Sequence, residues 1–177
     1  MLANGLIHIY YGDGKGKTTA ALGLALRAAG CGNKVVIVQF LKERACGEHK
    51  AFAKISNMRF LRGKPANGKF VRNMSDEEKQ ETKASQDESL KNALELVKTG
   101  QCDVLILDEV IDAYDLGVLD KELLDELMER KPDSLELVIT GHNPDAHLLE
   151  RVDYATEMVK RKHPYDKGVC ARQGIEF

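Results

Sequence analysis

The sequence predicts an α/β fold, a mostly parallel sheet with helices on both faces. Three observations carry that reading. Apolar runs of strand length alternate along the chain with segments of helical composition and periodicity. A loop rich in glycine and lysine joins the first strand to the first helix. Each cluster of chemically active residues follows directly on a strand, the edge where ligands of such sheets collect. The 177 residues suffice for one domain with a sizeable core, residues 1–177, and contain no internal repeat, low-complexity tract or interdomain linker.

Leu6 to Tyr11 reads as a buried strand that Gly12 ends. Thr18 to Ala29, rich in Ala and Leu, is a helix former that closes at Gly30. Lys34 to Leu41 contains Val35-Val36-Ile37-Val38, a continuous apolar run suited to a strand covered on both faces. A weaker strand follows around Ile55 to Leu61. Arg62 to Asn73 mixes basic residues with glycine and proline and reads as a long loop, a length that in compact domains marks either function or disorder. Ser75 and Glu78 form an S-x-x-E capping box that opens a polar helix. Leu90, Ala93, Leu94 and Val97 give that helix one apolar stripe, and Gly100 closes it. Val104 to Leu107 is another buried strand, ending in Asp108-Glu109. Lys121 to Arg130 is a helix with Leu123, Leu124, Leu127 and Met128 on its inner side, and Leu135 to Thr140 is the next strand. Asn143 and Pro144 suit the N-cap and first residue of a short helix reaching Arg151. A last strand around Ala155 to Val159 leads into an irregular tail.

Composition narrows the function classes. Hydrophobic residues at 43% and charged residues at 31% describe a soluble globular protein. A net charge of −2 gives no electrostatic case for nucleic acid or an anionic membrane as partner. No apolar run approaches the roughly 18 residues of a membrane span. Met1 to Gly5 lacks the features of a signal peptide, so a cytoplasmic location is expected. Cys31, Cys46, Cys102 and Cys170 form no C-x-x-C pair, which points to reduced thiols and away from zinc or a disulfide framework.

Gly12-Asp13-Gly14-Lys15-Gly16-Lys17-Thr18-Thr19 lies between a strand and a helix, the context that identifies a P-loop. Its glycines let backbone N–H groups turn inward. The helix N-terminus adds partial positive charge and Lys17 a full one, while the Thr18 hydroxyl is placed to meet Mg²⁺. These residues make the fold P-loop NTPase-like (RecA-like) and the ligand a nucleoside triphosphate. One departure matters. The usual pattern is G-x-x-x-x-G-K-[ST], and counting back from Gly16 puts Tyr11 where the first glycine belongs. The loop is one residue short, so standard phosphoryl-transfer geometry does not follow from it.

Leu105-Ile106-Leu107-Asp108-Glu109 resembles a Walker B strand, which delivers carboxylates to the ligand edge where Mg²⁺ takes them. Acidic pairs after strands also serve as helix caps, but beside an upstream P-loop the metal role is the better reading, with the direct ligand left open. Thr140-Gly141-His142 ends a further strand, and His142 reads equally well as structural or catalytic. Lys160-Arg161-Lys162-His163 is either a solvated basic edge or a source of charge for phosphates.

In order, these stretches resemble the P-loop cob(I)alamin adenosyltransferase family across essentially the whole chain. The matching pieces are Tyr11 through Ala21, Val38-Gln39-Phe40-Leu41-Lys42, Leu107-Asp108-Glu109, Thr140-Gly141-His142, Lys162-His163-Pro164, and Ala171 through Phe177. The short P-loop and the Gly174-Ile175-Glu176-Phe177 ending are the specific parts. The resemblance implies transfer of the 5′-adenosyl group of ATP to the cobalt of a reduced corrinoid, with release of inorganic triphosphate. It implies that Gly12 through Thr19 hold the triphosphate and that Thr18 with Glu109, and Asp108 beside it, hold Mg²⁺. It further implies a homodimer, with a flavoprotein as candidate electron donor. Because cob(I)alamin is itself a strong nucleophile, no serine, cysteine or general base is required, and the protein supplies position and charge. Lys17 is then a candidate catalytic residue through the charge it offers the leaving triphosphate.

Three features depart from the family. His142 stands where many members have arginine, longer members carry an N-terminal extension, and Phe70-Val71-Arg72 replaces a Phe-x-Trp pair. In the family, aromatic side chains displace the lower cobalt ligand. Phe70 is accordingly the second candidate catalytic residue, an apolar wedge, with Arg72 turned outward. The competing readings are a small P-loop kinase and a nucleotide-binding ATPase or regulatory module.

Overall fold

A computed structural model of the chain describes residues 4–42, 47–64 and 68–176. Six strands form one sheet: β1 (Ile7–Tyr11), β2 (Val35–Gln39), β3 (Met58–Arg62), β4 (Val104–Asp108), β5 (Glu136–Gly141) and β6 (Tyr154–Glu157). Their order is β3-β2-β4-β5-β1-β6 and every pairing is parallel. The expectation of a mostly parallel sheet is therefore met in full. The helices are α1 (Lys17–Gly30), α2 (Gly47–Phe52), α3 (Asp76–Lys98), α4 (Val110–Asp115), α5 (Lys121–Arg130) and α6 (Ala146–Leu149).

The central strands β2, β4 and β5 are largely apolar on both faces because both faces are covered. Val36, Val38, Leu105, Leu107, Leu137 and Ile139 point into one cluster, together with Leu90 and Ala93 of α3 and Leu124, Leu127 and Met128 of α5. Their neighbours Val35, Ile37, Val104, Ile106 and Val138 point the other way, against Ala21, Leu22, Ala25 and Ala29 of α1. Leu105 and Ile106 are both fully buried. Each such side chain contributes about 1.5–3 kcal/mol relative to exposure. Truncating Leu105 to Ala would cost about 2–5 kcal/mol with its cavity. The register sets Gln39 level with Asp108 and Tyr11 level with Gly141, so the polar residues that follow these strands emerge on one edge.

The capping box forms as read. Glu78 N–H donates to Ser75 Oγ at 3.3 Å, and Ser75 N–H donates to Glu78 Oε2 at 2.9 Å. Three details differ. The cap of α6 is Asp145, which accepts the Leu148 N–H at 2.9 Å, so the helix starts beyond Asn143 and Pro144 and stops at Leu149. Asn143 and Asp145 are comparable caps, and it is the Asp145 carboxylate that meets the first-turn N–H. β6 ends at Glu157 instead of Val159, because the Met158 backbone is committed to the P-loop. The short helices α2 and α4 had no sequence signal, since six residues are too few for periodicity. Cys31 and Cys170 are exposed free thiols and Cys102 a buried one, while Cys46 lies outside the described residues. Among the described residues no helix is long and apolar enough to cross a membrane.

Candidate functional site

The P-loop leaves β1 at Gly12, whose φ of +109° places it where a side chain is strained. A Cβ on Gly12 or on Gly14 would also lie 2.5 Å from the Met158 carbonyl oxygen. That contact exists because Gly14 N–H donates to Met158 O at 2.6 Å. Only glycine lets the loop lie this close to the chain leaving β6. Gly12 N–H donates to His142 O at 2.9 Å, and Asp13 accepts the Lys160 N–H at 2.9 Å, so two later segments, those after β5 and β6, brace the loop. The Lys160 N–H holds the Asp13 carboxyl below its ordinary range. Lys17 folds across the loop, its Nζ donating to Gly12 O at 2.7 Å and Gly14 O at 2.8 Å. Burial lowers its pKa, against the pull of Asp112 and Glu109. No side chain caps the first turn of α1, which leaves its N-terminus for a ligand's anionic groups.

Beside the loop stands a polar centre built on Asp108, which is fully buried. Its Oδ1 accepts from Thr18 Oγ1 and from Thr140 Oγ1, both at 2.9 Å. Its Oδ2 accepts from Gln39 Nε2 at 3.0 Å and from Lys42 Nζ at 2.6 Å. Glu109 sits at φ +64°, and its N–H donates to Thr140 Oγ1 at 2.9 Å. Lys42 Nζ is 3.4 Å from Glu109 Oε1 and 3.1 Å from Thr18 Oγ1. The Lys42 ammonium thus lies among the three residues expected to ligate a metal. Burial works against its charge, but Asp108 and then Glu109 outweigh burial and raise its pKa. Burial pushes the Glu109 carboxyl up; Lys42 opposes this, and Asp108 and Asp112 add to it. Hydroxyl and carboxylate oxygens around a lodged cation form a hard donor set of the kind Mg²⁺ takes.

Both features open on a cavity of about 870 Å³. Lys17, Thr18, Lys42, Glu109, His142 and Phe70 all line it. Every expected residue from Asp13 to Thr19 reaches this wall, as does Glu109, while Gly12 and Asp108 stand behind it. Phe70 is 84% exposed on a segment leading into a 3₁₀ turn at Val71–Asn73. His142 Nδ1 lies 2.8 Å from Asp112 Oδ1, so Asp112 orients the ring while its own Oδ2 is buried without a partner among the described residues. The tail returns to the same place. Glu176 Oε1 is 2.9 Å from Lys15 Nζ, and bonds from Arg172 and Lys15 hold its carboxyl down at about 2. Sequence reasoning assigned no site role to Gln39 or Lys42, noted only as part of a family-like stretch, and did not single out Asp112. Gln39 ends β2 and Lys42 follows it by three residues, so the strand-end rule nominates both once β2 is known to neighbour β4.

The model of the family described as ATP:corrinoid adenosyltransferase BtuR/CobO/CobP matches residues 3–177. The chain belongs to that family. Among its relatives is a corrinoid adenosyltransferase of Sinorhizobium sp, 33% identical and aligned over 98% of this chain and 80% of the relative. Another, from Escherichia coli strain K12, is 34% identical over 98% of this chain and 86% of its own length. A third, from Pseudomonas aeruginosa, is 30% identical over 98% and 84%. The fold is also similar to the cytoplasmic domain of EssC, with a TM-score of 0.51 at 16% identity. That match covers 98% of this chain and 35% of the EssC chain, a likeness of fold alone.

Proposed function

We propose that this chain transfers the 5′-adenosyl group of ATP to the cobalt of a reduced corrinoid, cob(I)alamin, and releases inorganic triphosphate. The observation that carries the reading is the family match across residues 3–177. In the reaction the cobalt electron pair forms the Co–C bond while the C5′–O bond breaks, and that bond's electrons leave with the triphosphate. The chain's part is to hold the two substrates in line and to receive the growing charge. Gly12 through Thr19 would cradle the triphosphate, with Lys17 supplying a fixed positive charge. Thr18, Glu109 and Asp108 would hold Mg²⁺, which lends further charge to the leaving group; the oxygen donor set supports this assignment. Phe70 would meet the corrinoid from the exposed side of the cavity.

The same reading makes the chain a single-domain cytoplasmic homodimer supplied with electrons by a flavoprotein. The single domain is inferred from the 177-residue length and the location from the composition; the dimer and the electron donor rest on the family resemblance. The kinase and ATPase alternatives fit the short P-loop and the full-length match less well. Mixing the protein with Mg-ATP and chemically reduced cobalamin tests the proposal. A visible spectrum turning to that of a photolabile alkyl-cobalt species, with stoichiometric triphosphate in the phosphorus NMR spectrum, is the expected result. ADP with a phosphorylated acceptor would make it a kinase, and ADP plus phosphate without corrinoid consumption an ATPase.

A further inference from the structure

We propose that Lys42 is a tethered counter-cation whose ammonium holds the place between Thr18, Asp108 and Glu109 until a divalent metal takes those oxygens, and then moves to the triphosphate. The proposal rests on the reading that these three residues ligate Mg²⁺. Three observations lead to it. Lys42 Nζ contacts all three residues at once, at 2.6 Å from Asp108, 3.1 Å from Thr18 and 3.4 Å from Glu109. Asp108 is fully buried beside Glu109, an arrangement of like charges that needs a positive partner when no metal is bound. Finally, the two non-glycine residues with left-handed backbone among those described are Leu41, at φ +59°, and Glu109. One precedes the lysine and the other supplies a carboxylate, so strained backbone converges on this centre from both sides. Strain of this kind persists where the surroundings over-determine it, and it clusters at functional sites.

The two cations exclude each other. Magnesium binds oxygen at about 2.0–2.1 Å, and an ammonium in contact with the same oxygens leaves no room for it. When displaced, Lys42 remains on its four-carbon stem in the cavity that Lys15 and Lys17 also line. The anion delivered there with the metal is the triphosphate. Lys42 is therefore a positioning residue before the nucleotide arrives and a phosphate contact afterwards. Its loss should affect the two ligands in opposite directions.

Electron paramagnetic resonance of free Mn²⁺ measures metal binding to the nucleotide-free protein, and calorimetry with tripolyphosphate at saturating Mg²⁺ measures the anion. Lys42→Met should bind Mn²⁺ about tenfold more tightly and tripolyphosphate about tenfold more weakly. Lys69→Met removes a positive charge from the rim of the same cavity and should leave Mn²⁺ affinity within about twofold, separating site occupancy from general electrostatics. Unchanged Mn²⁺ affinity in Lys42→Met, an equal gain in Lys69→Met, or parallel loss of both ligands would overturn the role of Lys42. Failure of the wild type to bind any divalent metal, with or without nucleotide, would overturn the metal assignment itself. Should Lys42→Met not fold, lysine-labelled wild type answers the question by ¹⁵N NMR. The Lys42 ammonium protons should be protected from exchange without metal and lose that protection on adding Mg²⁺; protection that survives bound Mg²⁺ would again overturn the role.

Discussion

The Thr140 hydroxyl donates to Asp108 Oδ1 at 2.9 Å while accepting the Glu109 N–H at the same distance. One side chain on β5 thereby fixes both members of the acidic pair at the end of β4. Thr140→Val keeps the shape but removes the donor from a buried carboxylate and orphans an N–H. It should lower the free energy of unfolding by about 1.5–3 kcal/mol, read from denaturant titration. A loss below about 0.5 kcal/mol, the ordinary scatter of surface substitutions, would mean the hydroxyl does not hold the pair.

Asp108 and Glu109 should separate by phenotype. Glu109 faces the cavity, so Glu109→Gln should raise the Mg²⁺ needed for half-maximal turnover about tenfold with little change in melting temperature. Asp108 accepts four hydrogen bonds in the interior. Asp108→Asn would turn one acceptor into a donor facing other donors, at a cost of about 1–3 kcal/mol in stability, with a smaller effect on the Mg²⁺ requirement. A Mg²⁺ titration giving the reverse order would make Asp108 the principal ligand.

Much of this centre was legible in the chain because its parts are local. A P-loop is eight consecutive residues, and a Walker B strand announces itself by an apolar run ending in acid. The alternation of runs gave the layers, and the Ser75–Glu78 box gave the start of α3. Thr18 beside Asp108 was legible, but its other three partners were not, because Gln39, Lys42 and Thr140 come from two other strand ends and meet only through the order of the sheet. Asp145 displaced Asn143 as a cap because two good caps lie two residues apart, and propensity does not rank them. Asp112 was hidden because α4 is a single short helix whose position depends on the left-handed turn at Glu109.

Lys17 bonds to two loop carbonyls as well as carrying charge. Lys17→Ala should therefore weaken Mg-ATP binding by at least about a hundredfold, or about 2.7 kcal/mol, while α1 and the sheet stay folded. Calorimetry together with circular dichroism checks both halves. Unchanged affinity with unchanged turnover would remove Lys17 from the site.

Phe70 exposes 84% of its surface in a protein whose other phenylalanines, where described, are at least partly buried. As an apolar wedge it would remove the lower cobalt ligand and ease reduction of Co(II). Phe70→Ala should slow adenosylation from cob(II)alamin at least about tenfold more than from chemically prepared cob(I)alamin, a difference of about 1.4 kcal/mol in barrier. Equal slowing from both states would mean Phe70 shapes the binding surface without tuning the metal.

Cys102 gives a test of the core that owes nothing to ligands. Burial pushes its thiol up to about 12. At pH 8.5 in the folded protein iodoacetamide should modify the exposed Cys31 and Cys170 and spare Cys102, as peptide mapping would read. Because the folded thiol holds its proton more tightly than the unfolded one, its contribution is complete below the ordinary value of 9.0 and is lost as pH rises toward about 12. Alkylation of Cys102 as fast as Cys31 would mean the β4 side of the core opens readily.

The contact between Glu176 and Lys15 ties the segment around Glu176 to the phosphate loop. A purification tag or fluorophore fused there would crowd the mouth of the cavity and shift the apparent affinities of side chains it was never meant to touch. Gly5, whose N–H donates to Asp133 O, lies at the opposite edge of the sheet. Handles for immobilisation, labelling or force measurement belong on that side, where they leave the chemistry as it is.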